Sequence, residues 1–431
     1  MRSLLACSRL CVSANRGSAS LMRILLLSLN YAPEPTGIAV YSSGLAETLS
    51  DLGHDVRVVC ANPHFPQWKL FDGFSALRWT RRREGGADVT RCPVYIPKRP
   101  SGLARVFHYL TFGLAALVPM LRAARQYRPQ VVISVAPSLV SAPLALLASR
   151  VAGATSWLHI QDFEVEAAVA TNNMAGSGMT LRMAAEFERR TLMAFDFASS
   201  ISPEMCRKLV QKGLDPDAVY ELRNWAEIDE IKPQSHSSYR EAWGITTPHV
   251  ALYSGSIARK QGIETLVDVA RILETRTDLT FVVCGNGPTR AELEVRAKGL
   301  RNIRFFDLQP REQLCELLNL ATVHLLPQRA AAADLVLPSK LANMLASGRP
   351  VVASVEPERG LAREVVGAGL ICKPEDGTSM ADALLRLLDD QALYESCAEE
   401  ALRRATERWN RSEIIGRFAR RLEQIHPAVG A

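Results

Sequence analysis

A chain of 431 residues that is 48% hydrophobic and 22% charged is too apolar to be disordered and long enough for two cores of ordinary size. Its nine cysteines are scattered, with no C-x-x-C pair and no histidine at ligand spacing, which excludes a disulfide framework and a zinc site and reads as cytosolic. The net charge of +6 is uneven: Arg78 to Arg128 holds eleven Lys or Arg against Glu84 and Asp88, a field for anionic partners or else a solvated face.

Residues 1–21 combine Arg2, Arg9 and Arg16 with short apolar pieces but no continuous core of signal-peptide length. A disordered tail or a wrongly assigned start is expected there, with the fold beginning at Met22. From Met22 the pattern is strand Arg23–Ser28, a Gly- and Pro-containing loop, a helix marked by Tyr41, Leu45, Leu49 and Leu52, and strand Val56–Cys60. Such a unit opens a Rossmann-like half. Further strands are predicted at Val131–Ser134, Ser156–His159, Ala198–Ile201 and Val219–Leu222.

After the polar stretch Glu227 to Pro248 a second series begins at Val250–Gly255 and continues through Phe281–Cys284, Ile303–Phe306, Val323–Leu326 and Val351–Ala353. The fold class is therefore α/β, with two doubly wound Rossmann-like domains in tandem facing across a cleft. A final helix, around Arg404 to Ile425, lies beyond the last strand and can cross back to the first domain. Ligands of such sheets bind beyond the carboxyl ends of the strands, so the residues just after strands carry the information.

The loop Val336–Lys340 opens directly into a helix that returns through Gly348–Arg349–Pro350 to a strand. Free N–H groups and the positive dipole end at a helix start attract anions, so Ser339 and Lys340 together suit a diphosphate; Ser339 is otherwise an ordinary cap. Gly37, after the first strand, allows a phosphate or sugar to approach the backbone, or simply makes a turn. Within His159–Glu166, the carboxylates Asp162, Glu164 and Glu166 and the imidazole of His159 could orient a hydroxyl or take its proton. An acidic helix start with a core histidine is the alternative. Arg259 and Lys260 would neutralise a leaving diphosphate, and Asn286 lies in a glycine turn suited to a planar base. Asp215–Pro216–Asp217 reads as a turn, not a metal site.

In order along the chain, Asn30–Gly37, Pro66–Gln67–Trp68, Leu158–Glu164, Asn224–Trp225, Tyr253–Gly255 with Lys260–Gly262, and Pro338–Leu341 resemble a family 4 glycosyltransferase of the GT-B fold, from Met22 to about Ile425. Within that family the chain is most similar to the colanic-acid and exopolysaccharide glycosyltransferases. The resemblance implies an acceptor domain over 22–228, joined by a helix at about 410–426, and a donor domain over 229–409. It implies transfer from a UDP- or GDP-sugar with retention and without an obligatory metal or cofactor. By position, Lys260, Ser339 and Lys340 would contact the diphosphate, Gly37 would lie under the donor, and Asp162 and Glu166 would face the acceptor.

Two departures from the family pattern stand out. Its two glutamates, separated by seven residues, are Leu335 and Asn343 here, with Asp334 a stand-in for the first; Asn343 can still bond a ribose hydroxyl. The arginine before the lysine is Ser256, with Arg259 as the replacement. These losses leave room for a scaffold that binds a nucleotide sugar or a partner transferase without turnover, or for a nucleotide-sugar epimerase. Over residues 101–128 apolar residues recur three or four apart, flanked by arginines. This pattern, too short and interrupted for a transmembrane span, suits a helix lying on a membrane, or an amphipathic core helix. A polyprenyl-diphosphate-linked saccharide acceptor at the inner face of the cytoplasmic membrane fits both the helix and the arginines at 81–83. Nucleic acid is not expected, since the basic cluster lacks interleaved stacking aromatics.

Overall fold

The computed structural model describes residues 21–35, 37–98, 102–164, 178–226, 228, 230–329 and 339–426. The N-terminal extension expected at 1–21 lies outside them but for Leu21. The first sheet contains β1 (Arg23–Ser28), β2 (Asp55–Ala61), β3 (Thr80–Glu84), β4 (Ala87–Cys92), β5 (Val131–Ala136), β6 (Thr155–Ile160), β7 (Phe197–Ser200) and β8 (Val219–Glu221). Their order is β3-β4-β2-β1-β5-β6-β7-β8, parallel except for the β3–β4 pair. The second sheet contains β9 (His249–Ser254), β10 (Leu279–Cys284), β11 (Ile303–Phe306), β12 (Val323–Leu326), β13 (Val351–Ser354) and β14 (Gly369–Cys372). It runs β11-β10-β9-β12-β13-β14, the doubly wound order whose crevice opens between β9 and β12. In the first sheet the same reversal falls between β1 and β5.

The central strands are apolar on both faces because helices cover both. Val131–Ala136 is buried at every position, as parallel sheets require. Strands β3, β4 and β14 were not legible from the pattern. The sequence of β3, Thr-Arg-Arg-Arg-Glu, is an antiparallel edge with exposed charges, a device that discourages edge-to-edge pairing. Arg81 there is bonded to Asp88 of β4, so part of the arginine cluster is already paired.

The expected final helix is two helices, Gln391–Arg408 and Arg411–Ile425. Asn410 breaks them: its backbone is extended and its side chain accepts from the Glu413 N–H at 3.0 Å, capping the second. That second helix buries Ile414, Ile415, Phe418 and Leu422 in the core of the first sheet, with the Phe418 ring centroid 5.0 Å from that of Trp157. The two passages of the chain between the sheets lie side by side, where Ala226 N–H donates to the Trp409 carbonyl at 2.8 Å. Beside them, Arg223 of the first domain is paired with the buried Glu364 of the second at 2.9 Å.

Candidate active site

On the second sheet the loops after β9 and β10 are fastened to each other. Gly255 N–H donates to Cys284 O and Ile257 N–H to Asn286 O, both at 2.9 Å. A Cβ on Gly285 would lie 1.8 Å from Gly255 O, and one on Gly287 2.0 Å from Ile257 O. These glycines therefore serve the contact between loops. Arg290 holds the turn, donating to Gly285 O at 3.1 Å and to the Asn286 side-chain oxygen at 2.7 Å.

Lys340 stands in the first turn of the helix Ser339–Ala346 and reaches back to this loop pair. Its ammonium sits 3.9 Å above the ring centroid of Tyr253, the penultimate residue of β9, and 3.7 Å from where a Gly255 Cβ would be. Tyr253 is fixed in turn by its hydroxyl, which donates to Ser256 O at 2.6 Å. Burial pushes the Lys340 ammonium down to a pKa of about 7, and among the described residues no carboxylate pairs with it. A cation held by a ring face, beside free N–H groups at a helix start, is arranged to receive an anion. Tyr253 is the residue whose role the sequence did not disclose; an aromatic two residues before the glycine that follows β9 is its signal.

The other donor-side candidates fall as follows. Arg259 is exposed and lies 3.7 Å from Glu292. Lys260 is in a short 3-10 turn, but its side chain, like that of Ser339, lies outside the described residues, as do Asp334 and Leu335. Asn343 is half-buried, three residues beyond Lys340 and so on the same helix face.

Across the cleft, loops after β1, β2, β5 and β6 meet. Glu34 is buried and pins two of them: its carboxylate accepts from the His64 and Phe65 N–H groups at 2.8 and 2.9 Å and from the Asn30 amide at 2.8 Å. Gly37 follows with φ of 67°, the left-handed region, and a Cβ there would be 3.7 Å from the Phe65 ring. Trp68, with φ of 52°, packs near His64 and His108 under Arg105.

His159 is not presented to the cleft. It is buried, with Nδ1 2.9 Å from Ser199 Oγ and Nε2 3.0 Å from the Gln161 amide. Burial pushes its pKa down to about 4, so near neutrality the ring is uncharged and holds Gln161 in place, instead of exchanging protons with substrate. Asp162 is half-buried and close enough to Glu164 and Tyr109 to raise both their pKa values. Glu164 caps the turn after β5, accepting from Ser138 N–H and, at 3.1 Å, from Leu139 N–H. Burial raises its pKa to about 7 against those bonds. Glu166 lies outside the described residues. Of the acidic run, Glu164 is taken up by the turn after β5, and Asp162 remains a half-buried carboxylate beside it.

The helix Gly102–Gln126 fills most of the expected segment 101–128 with 25 residues, and by length and composition alone it is long and apolar enough to cross a bilayer, which corrects the reading that the segment is too short and interrupted for that. His108, Phe112, Ala116, Met120 and Ala124, spaced by four, are buried against the first sheet, while Phe107, Leu110, Leu114 and Val118 on the other side are exposed. The exposed Leu77, Trp79 and Tyr95 add apolar surface to the same domain.

Residues 36–225 match the Glycosyl transferase 4-like domain, and residues 248–390 match Glycosyl transferases group 1. The chain is 39% identical over 344 residues to the colanic acid biosynthesis glycosyl transferase WcaI of Escherichia coli K12, covering 78% of this chain and 84% of that one. Sucrose-phosphate synthase of Thermosynechococcus elongatus superposes with a TM-score of 0.72 at 17% identity, over 94% of this chain and all of that one. Anabaena Alr3699/HepE, solved in complex with UDP-glucose, gives 0.66 at 16% identity, over 94% of this chain and all of that one. Likeness at this level of identity establishes the GT-B fold.

Proposed function

The chain belongs to the glycosyltransferases that join a glycosyl transferase 4-like domain to a group 1 domain, and from that we propose what it transfers and to what. The donor is a nucleotide sugar, a UDP- or GDP-sugar, on the second domain. The acceptor is a saccharide carried on a polyprenyl diphosphate, presented to the first domain at the inner face of the cytoplasmic membrane. Transfer proceeds with retention and needs neither metal nor cofactor.

The observation that carries this reading is Lys340 over Tyr253 at the mouth of the helix Ser339–Ala346. Charge on the diphosphate grows as the glycosidic bond breaks, so a cation and helix N–H groups placed beforehand lower the barrier to departure. Asp162, opposite, orients the acceptor hydroxyl. Closing of the cleft, through the paired passages at Ala226 and Asn410, brings the two halves together.

The exposed row of the helix Gly102–Gln126 supports the membrane side. Its outer face exposes Phe107, Leu110, Leu114 and Val118, and arginines flank it, which suits an interfacial helix over anionic headgroups.

Transfer is tested with radiolabelled UDP- and GDP-sugars and a polyprenyl-diphosphate saccharide. Label is expected in the lipid fraction with wild type and at least about a hundredfold less with Asp162→Asn, and proton NMR of the product reads the anomeric configuration. Binding of donor without transfer would favour the scaffold suggested by Leu335 and Asn343.

A further inference from the structure

A second cavity lies on the opposite side of the donor domain from Lys340. It has a volume of about 260 Å³ and sits where His249 and Thr322 begin the passages into β9 and β12, so it opens at the amino ends of the strands. Strand β9 has six residues, which at about 3.3 Å each puts this cavity roughly 20 Å from the glycine loops. It is thus separate from the crevice at the carboxyl ends, where a doubly wound sheet takes its nucleotide.

Its lining is polar and basic. Arg240 and Arg349 lie in the wall with Ser235, His249, Gln391 and Tyr394, and no carboxylate belongs to the lining. Of the nearby acids, Asp278 and Asp389 are engaged by Arg276, at 2.7 and 2.6 Å, and Glu395 accepts from the Gln391 amide at 2.7 Å; Asp278 also lies 4.0 Å from His249. Arg240 is fixed by donating to the Thr247 and Pro248 carbonyls at 2.7 and 2.8 Å. Arg349 donates to Gln234 O at 2.7 Å and lies 3.5 Å from the Tyr394 hydroxyl, so its guanidinium is held at the wall. With no carboxylate in the wall, the two guanidinium groups keep their charge for an oxyanion, the acceptor that they fit best.

We propose that this cavity binds a phosphate group, free or carried on a small metabolite such as a phosphorylated sugar. The guanidinium groups of Arg240 and Arg349 hold the phosphate, and Ser235, Gln391 and Tyr394 supply partners for sugar hydroxyls. The volume is near the lower edge of small-molecule sites, enough for one phosphorylated ring. Because the wall includes the segment Ser235–Arg240 that follows the passage between domains, an occupied cavity ties that segment to the donor domain.

The full chain is titrated calorimetrically with inorganic phosphate and with glucose 6-phosphate, as wild type, Lys340→Ala, Arg349→Gln and Ser235→Asp. The last variant places a negative charge at an exposed position on the rim and keeps the test valid if Arg349→Gln does not fold. Binding is expected to survive Lys340→Ala within about twofold and to weaken at least about tenfold in Arg349→Gln and Ser235→Asp. Equal affinity for the two probes assigns the site to free phosphate, and tighter glucose 6-phosphate to a phosphorylated metabolite. Loss of binding in Lys340→Ala would place the anion in the cleft and overturn the proposal. So would binding unchanged by both rim variants, or no heat with either probe.

Discussion

The ammonium of Lys340 rests 3.9 Å above the ring of Tyr253, joining the start of the donor-domain helix to the end of the first strand of its sheet. Burial brings the pKa of this group to about 7, whereas an unfolded chain keeps it near 10.4. Between these values the unfolded state binds the extra proton, so stability contributed here rises with pH from about 7 to 10; below pH 7 the full cost of the buried charge is present. A bound diphosphate raises the pKa again, so binding takes up a proton. Affinity for UDP is expected to fall by up to about tenfold per unit above pH 7, and Lys340→Arg to remove that dependence. Calorimetry in buffers of different ionisation heat counts the proton directly.

Gly285 and Gly255 meet backbone to backbone, with 1.8 Å between a Gly285 Cβ and the Gly255 oxygen. Gly285→Ala must separate the loops and break the bonds between them, at a cost above about 3 kcal/mol. Gly73→Ala, at φ of 83° with nothing within 4 Å, costs only about 1 kcal/mol for its backbone strain. Urea unfolding of the two variants measures the difference.

Phe418, near the end of the chain, is completely buried in the core of the first domain. Phe418→Ala is expected to cost about 3–5 kcal/mol and to act on the domain farther from it in sequence. Limited proteolysis of the variant should open cuts within residues 22–226 while the fragment spanning 249–389 persists.

The legible parts of the fold were those with strong periodicity. Strands such as Val131–Ala136, buried on both faces, and the helix that begins at Ser339 announce themselves by apolar runs and loop chemistry. The edge strand Thr80–Glu84 did not, because its charges are what an edge needs and resemble a solvated loop. The break at Asn410 was hidden in a continuous helical pattern, although asparagine three residues before Glu413 is a capping signal. In the site, residue types pointed to Lys340 and Asp162. They could not show that His159 turns inward to Ser199, or that Gly285 faces another loop, since both depend on contacts between segments distant in sequence.

Leu114 and Val118 are 72% and 71% exposed on a helix whose other face is core. With Leu114→Glu and Val118→Glu combined, flotation with phosphatidylglycerol-rich vesicles should show binding at least about tenfold weaker, with the melting temperature nearly unchanged. Unaltered flotation would remove this helix from the membrane contact.

The central claim, a diphosphate held at Lys340, is tested most directly by calorimetric titration with a panel of UDP- and GDP-sugars, comparing wild type with Lys340→Ala. The account predicts saturable binding within one nucleotide series, weakened about 10- to 100-fold in the variant, the loss expected for a charge-assisted contact. Equal affinity in Lys340→Ala, or no binding of any nucleotide sugar by the wild type, would contradict it.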